Sequence, residues 1–233
     1  MQSKLIIALD VDSFDKAKKL IDKLSPYVNV FKVGSELFTA CGGQITDYIN
    51  KKKKKVFLDL KFHDIPNTVG KAVLAAAKHK VFMLTLHASG GLEMLKCAKS
   101  AFSGMKKKPL LVAVTVLTSK DEKNAKTKVL ELAKLSRRAG LNGIVCSPRE
   151  TWLVKKVCGK RFITVNPGVR PLWAKSNDQK RITTPSEAVK NGTDFIVVGR
   201  PVTTAKDPVL AVRKILEEIA EDKGVGCGKN TNF

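Results

Sequence analysis

Residues 56–68, VFLDLKFHDIPNT, join an apolar run to the beginning of a helical pattern. The run Val56–Leu60 has the composition of a buried strand, and Asn67–His79 shows helical periodicity. Polar and charged residues lie between the two. This order of strand, polar loop and helix is the repeating unit of α/β proteins.

Similar units recur along the whole chain. Apolar, strand-like runs are found at Leu5–Leu9, Val28–Val33, Val56–Leu60, Val81–Leu86, Leu110–Leu117, Gly143–Cys146, Phe162–Val165 and Phe195–Val198. Helical patterns lie between them, among others at Ser13–Leu24, Ser35–Ile49, Asn67–His79, Gly91–Phe102, Lys126–Ala139 and Ala205–Ala220. Strands that alternate with helices run parallel, and eight such units close into a barrel. The sequence therefore predicts an α/β protein, a (β/α)8 TIM barrel over residues 1–223 with a polar tail over residues 224–233.

An open, doubly wound sheet would give the same alternation of strands and helices. Dinucleotide-binding sheets of this kind carry a G-x-G-x-x-G turn after the first strand. This chain has Asp10-Val11-Asp12-Ser13 at that place. The barrel is therefore the preferred prediction.

The composition bounds the class of protein. Of 233 residues, 43 are Lys or Arg and 21 are Asp or Glu, so the formal net charge is +22. The hydrophobic share of 43% excludes wholesale disorder, and a pI near 9.9 points to anionic partners. Five scattered cysteines indicate neither a disulfide framework nor a zinc site. Because we find no export signal and no run of roughly 18 apolar residues, we expect a cytoplasmic protein without a membrane partner.

Charged residues end the first three predicted strands. Asp10 ends the first strand, Lys32 lies near the end of the second, Asp59 and Lys61 end the third, and Asp64 follows in the loop. Barrel enzymes carry their chemistry at these carboxyl ends. Because Asp59 and Lys61 are two positions apart on a strand, their side chains share one face. Buried charges persist in pairs, so the alternating signs predict a network that holds a cationic acid in a dry pocket.

The loops after the seventh and eighth strands predict a phosphate site. Asn166-Pro167-Gly168-Val169-Arg170 follows the seventh strand, and Gly199-Arg200 follows the eighth. Barrel enzymes commonly bind phosphate at these two loops. Glycine lets backbone N–H groups approach a phosphate, and arginine supplies a two-pronged donor.

The segments that carry these residues resemble the orotidine 5′-phosphate decarboxylase family, in particular its bacterial-type subgroup. The resemblance covers nearly the whole chain, through Leu9-Asp10-Val11, Phe31-Lys32-Val33-Gly34, Asp59 to Thr68, Thr115 to Ser119, Asn166 to Arg170, Asp178 to Arg181 and Val198-Gly199-Arg200. Its most specific part is the D-x-K-x-x-D segment with the I-P-N-T continuation.

The resemblance implies decarboxylation of orotidine 5′-monophosphate to uridine 5′-monophosphate in de novo pyrimidine biosynthesis, by a homodimer, without cofactor or metal. It implies that Lys61 donates the proton to C6 of the pyrimidine, and that Lys32, Asp59 and Asp64 complete a charged tetrad. The implied substrate contacts are Asp10 and Lys32 at the ribose, Asp59 at the departing carboxylate, Thr118 at the pyrimidine, and Arg170, Gln179, Gly199 and Arg200 at the phosphate. Asp64 and Thr68 would reach into the site of the partner subunit.

Two other readings stay open at this point. A related barrel decarboxylase or aldolase that acts on a sugar phosphate would share the D-x-K-x-x-D segment but typically uses Mg²⁺. The charge of +22 could also indicate a nucleic-acid binder, yet no helix-turn-helix, zinc finger or aromatic platform is apparent, and we expect no specific nucleic acid as partner. The runs Lys51–Lys55 and Lys106–Lys108 precede strands, so we place them at the opposite end of the barrel, as solvated surface.

Overall fold

A computed structural model describes residues 4–116, 124–174 and 183–224. Eight parallel strands close into a barrel in chain order, and the first strand pairs with the eighth. The predicted (β/α)8 barrel is thereby confirmed. The doubly wound alternative is excluded, because an open sheet leaves its two outer strands unpaired on one side.

The strands and helices alternate as the sequence predicts. The strands are β1 (Leu5–Ala8), β2 (Val30–Gly34), β3 (Lys55–Phe62), β4 (Met83–His87), β5 (Leu110–Val114), β6 (Gly143–Val145), β7 (Ile163–Asn166) and β8 (Phe195–Val198). The helices are α1 (Phe14–Leu24), α2 (Ser35–Cys41), α3 (Gly43–Lys51), α4 (Pro66–Ala77), α5 (Gly91–Ser100), α6 (Ala125–Arg138), α7 (Thr151–Cys158), α8 (Pro185–Lys190), α9 (Arg200–Thr203) and α10 (Pro208–Gly224).

Each strand contributes side chains to two separate apolar layers. Side chains that point outward, such as Leu5, Ile7, Val56 and Leu58, pack against the helices in one large core. Side chains that point inward fill the barrel itself, namely Ile6, Ala8, Val30, Phe57, Met83, Val112, Val165 and Val197. Because both faces of the strands are buried, the strands read as continuous apolar runs in the sequence.

The segment Ser35–Ile49, which the periodicity predicts as one helix, forms two helices instead. α2 ends at Cys41 and α3 begins at Gly43. Gly42 between them has a φ of 54°, a left-handed conformation that glycine adopts without steric cost. The helical period continues on both sides of this break, so the pattern of apolar residues does not reveal it.

The described helices include none that is long and apolar enough to span a membrane. α10 ends at Gly224, one residue beyond the predicted boundary between barrel domain and tail, and the division into domain and tail stays a prediction. The rest of the predicted tail lies outside the described residues.

The barrel wall tolerates no side chain at Gly143. A Cβ placed there would lie 2.1 Å from the carbonyl oxygen of Ile163 on the neighbouring strand β7. We expect Gly143→Ala to lower the free energy of unfolding by about 2 kcal/mol or more, because the clash is with backbone. Gly104→Ala is the control, since a Cβ at Gly104 meets no heavy atom within 4 Å. Urea unfolding of both variants measures the difference, and equal midpoints would contradict the packing seen here.

Candidate active site

A cavity of about 270 Å³ opens at the carboxyl ends of the strands. Its floor is apolar and includes Ala8, Phe57 and Val165 from the inner layer of the barrel. Among the described residues, the charged ones in its lining are Asp10, Lys32, Asp59, Lys61, Arg170 and Arg200. A concave apolar site with a few convergent polar groups is the usual form of a small-molecule site.

Four of these charges form one connected row across β1, β2 and β3. Lys32 Nζ lies 2.9 Å from Asp10 Oδ1 and 3.7 Å from Asp59 Oδ2. Asp59 Oδ2 in turn lies 2.8 Å from Lys61 Nζ. Of the five charges that the sequence predicts as one alternating set, these four lie together, whereas Asp64 lies outside the row. Each cation of the row contacts at least one carboxylate, so the row can persist in a partly buried place.

In this chain the two inner residues of the row are shielded from solvent, as a dry pocket requires, and the two outer residues are not. The side chains of Lys32 and Asp59 are 12% and 11% exposed. Those of Lys61 and Asp10 are 38% and 52% exposed, so both ends of the row meet solvent. The two inner members lie on strands that line the barrel, whereas Asp10 has already left β1 and Lys61 stands at the rim.

Thr85 is a site residue that the sequence does not reveal. Its buried hydroxyl donates to Asp59 Oδ1 at 2.9 Å and accepts the backbone N–H of Lys61 at 2.8 Å. Thr85 thus orients the acid and the lysine together. In the run Met83–His87 a single threonine looks like an ordinary strand residue; the available signal is its inward position on the strand next to Asp59.

The backbone at Lys61 has an unusual conformation. Its φ is 52°, in the left-handed region that side chains other than Gly and Asn rarely adopt. The pairing of β3 with β4 is irregular here, since Leu58 pairs with Leu84 and Phe62 with Leu86. The step from Leu58 to Phe62 is four residues on β3, whereas the matching step from Leu84 to Leu86 is two residues on β4. The backbone N–H of Lys61 donates its hydrogen bond to the Thr85 hydroxyl. Strained backbone of this kind is concentrated at functional sites.

Two glycines make room for the pair of Asp10 and Lys32. A Cβ at Gly34 would lie 3.3 Å from Lys32 Nζ, and one at Gly199 would lie 3.3 Å from Asp10 Oδ2. Gly199 follows β8, the strand that pairs with β1. The loop predicted to bind phosphate therefore lies beside the first acid of the row.

The two arginines reach the cavity from the loops after β7 and β8. Arg170 follows β7 and is buried, with 3% of its surface exposed. Its backbone N–H donates to the carbonyl oxygen of Thr183 at 3.0 Å, which fixes the loop. Arg200 begins α9, is exposed, and lines the cavity with Gly199. These three residues bring the loops after β7 and β8 to one cavity, and their binding of phosphate stays a prediction.

Two other predicted site residues, Asp64 and Thr68, do not line the cavity of this chain. Asp64 and Thr68 are exposed, and Asp64 accepts the backbone N–H of Ile65 at 2.6 Å. Their predicted role in a partner's site stays a prediction. Thr118 and Gln179 lie outside the described residues.

Cys146 lines the cavity but lacks the properties of a nucleophile. It is buried, and its burial together with the charge of Glu150 raises the pKa of the thiol to about 12. The reactive form of cysteine is the thiolate, so this thiol is inert near neutral pH. Within the described ranges, no three side chains of His, Cys, Asp or Glu gather as metal ligands.

Comparison with known proteins identifies the family. Residues 3–215 match the orotidine 5′-phosphate decarboxylase / HUMPS family. The chain belongs to this family. A family member from Saccharophagus degradans, named orotidine 5′-phosphate decarboxylase, is 47% identical over 226 residues, which are 93% of this chain and 95% of that protein. One of the same name from Legionella pneumophila is 46% identical over 229 residues, covering 94% of this chain and 100% of the relative.

A solved structure of the family has the same fold. The crystal structure of orotidine 5′-phosphate decarboxylase from Lactobacillus acidophilus superposes with a TM-score of 0.81 at 36% identity, covering 92% of this chain and 98% of that one. The resemblance seen in the sequence is thereby confirmed. The prediction of an enzyme of the carboxy-lyase class, an orotidine 5′-phosphate decarboxylase, is confirmed with it.

The inertness of Cys146 can be tested with a thiol reagent. We expect Cys146 to resist labelling in the native protein at about pH 8 and to react fully once the chain is unfolded, because its raised pKa and its burial act together. Peptide mapping after a short labelling pulse identifies the modified cysteines. Cys97, which is partly exposed, serves as the internal control. Rapid modification of Cys146 in the folded protein would contradict this result.

Proposed function

We propose that this protein decarboxylates orotidine 5′-monophosphate to uridine 5′-monophosphate, a step of pyrimidine biosynthesis, and that it needs no cofactor. The observation that carries the proposal is the meeting of the Asp10–Lys32–Asp59–Lys61 row with Arg170 and Arg200 in one cavity. Family membership supports the reaction. The charged row supports the assignment of roles.

The substrate would lie across the mouth of the barrel. Its phosphate would contact Arg170, Arg200 and the backbone at Gly199, with Gln179 from the neighbouring loop. Its ribose hydroxyls would face Asp10 and Lys32, and its pyrimidine would face Lys61 and Asp59, with Thr118 at the ring. This order follows the positions of the groups in the barrel, since β8 lies beside β1 and β3 lies two strands farther on.

The chemistry explains why a fixed cation is needed. Loss of CO2 from C6 leaves an electron pair in an orbital in the plane of the ring, where the π system cannot delocalise it. A preorganised ammonium group beside C6 stabilises that charge with little rearrangement. Lys61 Nζ would provide this group and then transfer its proton to C6, as a general acid. The proton of Lys61 thus takes the place that CO2 leaves.

Asp59 would have two tasks in this reaction. It holds Lys61 Nζ at 2.8 Å, and in the substrate complex it would stand near the departing carboxylate. Repulsion between the two carboxylates would be relieved as CO2 leaves. We assign the larger contribution to Lys61, because its attraction for the carbanion grows toward the transition state.

The active unit would be a homodimer with shared sites. Asp64 and Thr68 are exposed, just beyond the rim of the cavity, and Ile65 between them is 66% exposed. A second copy of the chain would cover this apolar side chain and receive Asp64 and Thr68 in its own site. The cytoplasmic location stays a prediction.

A direct assay tests the function. Orotidine 5′-monophosphate is added to protein treated with EDTA, and the loss of the absorbance of the orotate ring is followed. The proposal expects turnover that EDTA does not reduce. Activity restored only by Mg²⁺, or turnover of a sugar phosphate in place of the nucleotide, would favour the other branch of the family.

Removal of Lys61 tests the proton donor and the shared site together. We expect Lys61→Ala to form a folded dimer whose kcat falls by about 10⁴-fold or more, since both the cation and the proton are removed. Asp64→Asn should also be strongly impaired. In an equimolar mixture of the two variants after subunit exchange, about a quarter of the sites are intact if Asp64 acts across the dimer.

The mixture of the two variants therefore tests the role of Lys61 as proton donor and the role of Asp64 across the dimer separately. Recovered activity supports both roles, and its absence after confirmed exchange would place Asp64 in the site of its own chain. Near wild-type turnover by Lys61→Ala alone would remove Lys61 as the donor.

Removal of Arg200 tests the phosphate site. We expect Arg200→Ala to lower kcat/KM for orotidine 5′-monophosphate by about 10- to 100-fold, the loss of one hydrogen bond to a charged group. The same variant should barely change kcat/KM for orotidine, which lacks the phosphate. Arg213→Ala is the control, since Arg213 lies on α10 and donates to the Tyr27 hydroxyl. An equal loss with both substrates would contradict the assignment.

Thr85 would act as a positioning residue through Asp59 and Lys61. We expect Thr85→Val to lower kcat by about 10- to 100-fold with little change in KM, because misplacing a catalytic group slows the reaction by such factors. Thr85→Ser should restore kcat. Ser136→Ala, which removes a buried hydroxyl bonded to Leu132 O on α6, should lower stability alone. An unchanged kcat in Thr85→Val would leave Thr85 a purely structural role.

A further inference from the structure

The edge of the barrel at which the strands begin is strongly cationic. Its connections, from the end of each helix to the next strand and including Lys4, contain eleven cations and one acid, Asp194. The cations are Lys4, Lys52, Lys53, Lys54, Lys78, Lys80, Lys106, Lys107, Lys108, Lys160 and Arg161. In the described part of the chain, the connections that leave the strands at the cavity edge hold two cations, Arg149 and Arg170, and four acids, Asp10, Asp12, Asp64 and Glu150.

Most of this charge lies in one continuous arc. We define the lysine arc as Lys51–Lys55, Lys78, Lys80 and Lys106–Lys108, which lead into β3, β4 and β5. These strands are direct neighbours, so the starts of the outer two are roughly 10 Å apart. Eight of the ten lysines are exposed. Among the described residues, Lys52 with Asp22 is the single ion pair of the arc.

Two lysines of the arc have an unusual backbone conformation. Lys53 and Lys80 follow α3 and α4 with φ of 57° and 53°. Glycine is the usual residue for this left-handed conformation after a helix. The chain uses glycine in this way after α6, α7 and α8, at Gly140, Gly159 and Gly192. At Lys53 and Lys80 it instead carries a charged side chain in a conformation that costs free energy.

The side chains of the lysine arc indicate which class of partner it can bind. Lysines are point charges that suit phosphates, and contacts to phosphates carry no sequence information. None of the large apolar side chains that are exposed in the described chain lies in these connections. The arc therefore lacks the apolar anchor of a protein interface or of membrane insertion, and the aromatic rings that stack single-stranded bases.

We propose that the lysine arc binds the phosphate backbone of duplex nucleic acid, without regard to base sequence. The arc lies at the opposite end of the barrel from the cavity, so a bound duplex leaves the cavity open. The inference is independent of the reaction proposed above, and its test uses a binding signal in place of turnover.

The test measures binding of a fluorescein-labelled DNA duplex of roughly 20 base pairs by anisotropy over a series of KCl concentrations. We expect a Kd on the order of 10⁻⁶ M at low salt and a linear fall of log K with log[salt]. The triple variant Lys106→Ser, Lys107→Ser, Lys108→Ser should bind more weakly. Its salt slope should be shallower by about 0.9 for each phosphate that the variant no longer neutralises.

The matched control removes the same number of charges elsewhere. Lys19, Lys126 and Lys206 are exposed lysines outside the connections that lead into the strands, and their triple exchange to Ser should leave the affinity and the slope close to those of the wild type. If both triple variants lose equal affinity, the binding reflects net charge and the arc is not a site. Unchanged binding by the arc variant overturns the proposal as well.

A double variant separates the effect of charge on binding from the effect of the exchanges on stability. Lys53→Gly with Lys80→Gly should raise Tm, because glycine removes the left-handed strain, and should still weaken duplex binding. Stronger binding by the stabilised variant would contradict the proposal.

Vesicles of phosphatidylcholine with about one-third phosphatidylserine are the competing probe. Binding to them in the absence of duplex binding would identify a lipid surface and overturn the assignment.

Discussion

The Asp59 carboxylate is the group on which the rest of the site depends. It accepts a hydrogen bond from Thr85, lies 2.8 Å from Lys61 and 3.7 Å from Lys32, and its side chain is 11% exposed. Two lysines this close to each other would repel strongly if no acid stood between them. The irregular pairing of β3 with β4 and the left-handed backbone of Lys61 bring this contact about. Packing in the apolar inner layer below then holds the carboxylate in place.

The formal charge of the cavity is far smaller than that of the chain. Among the described residues of the lining, the two acids and two lysines of the row cancel, and Arg170 and Arg200 leave a formal charge of +2. Most of the +22 of the chain therefore has another location, and the connections that lead into the strands hold a large part of it. The barrel separates a site that needs balanced charge from a surface that does not, because the two lie at opposite ends of its strands.

The fold and part of the site could be predicted, because the positions of apolar runs and of the charges that end them can be read along the chain. Parallel strands give apolar runs, and the charges at the ends of the first three runs indicate which residues meet at the carboxyl edge of the barrel. The break at Gly42 could not be predicted, since the helical period continues across it. The left-handed Lys61 has no local signal either, because tertiary pairing with β4 imposes it. Thr85 escapes prediction because one hydroxyl in an apolar strand gains its meaning only from its neighbour across the sheet. The role of Asp64 in the site of a partner subunit is implied by the resemblance alone and stays a prediction.

The pairing of β1 with β8 places the first and last strands of the barrel side by side at the cavity. During synthesis the first strand emerges early, yet its second neighbour exists only after residue 198 has been made. Asp10 and Gly199 face each other across this seam, so the cavity wall is complete here only when the ring is closed. A nucleotide bound there would bridge the seam and hold the first and last strands together. Binding to the closed barrel would therefore stabilise the fold at this junction.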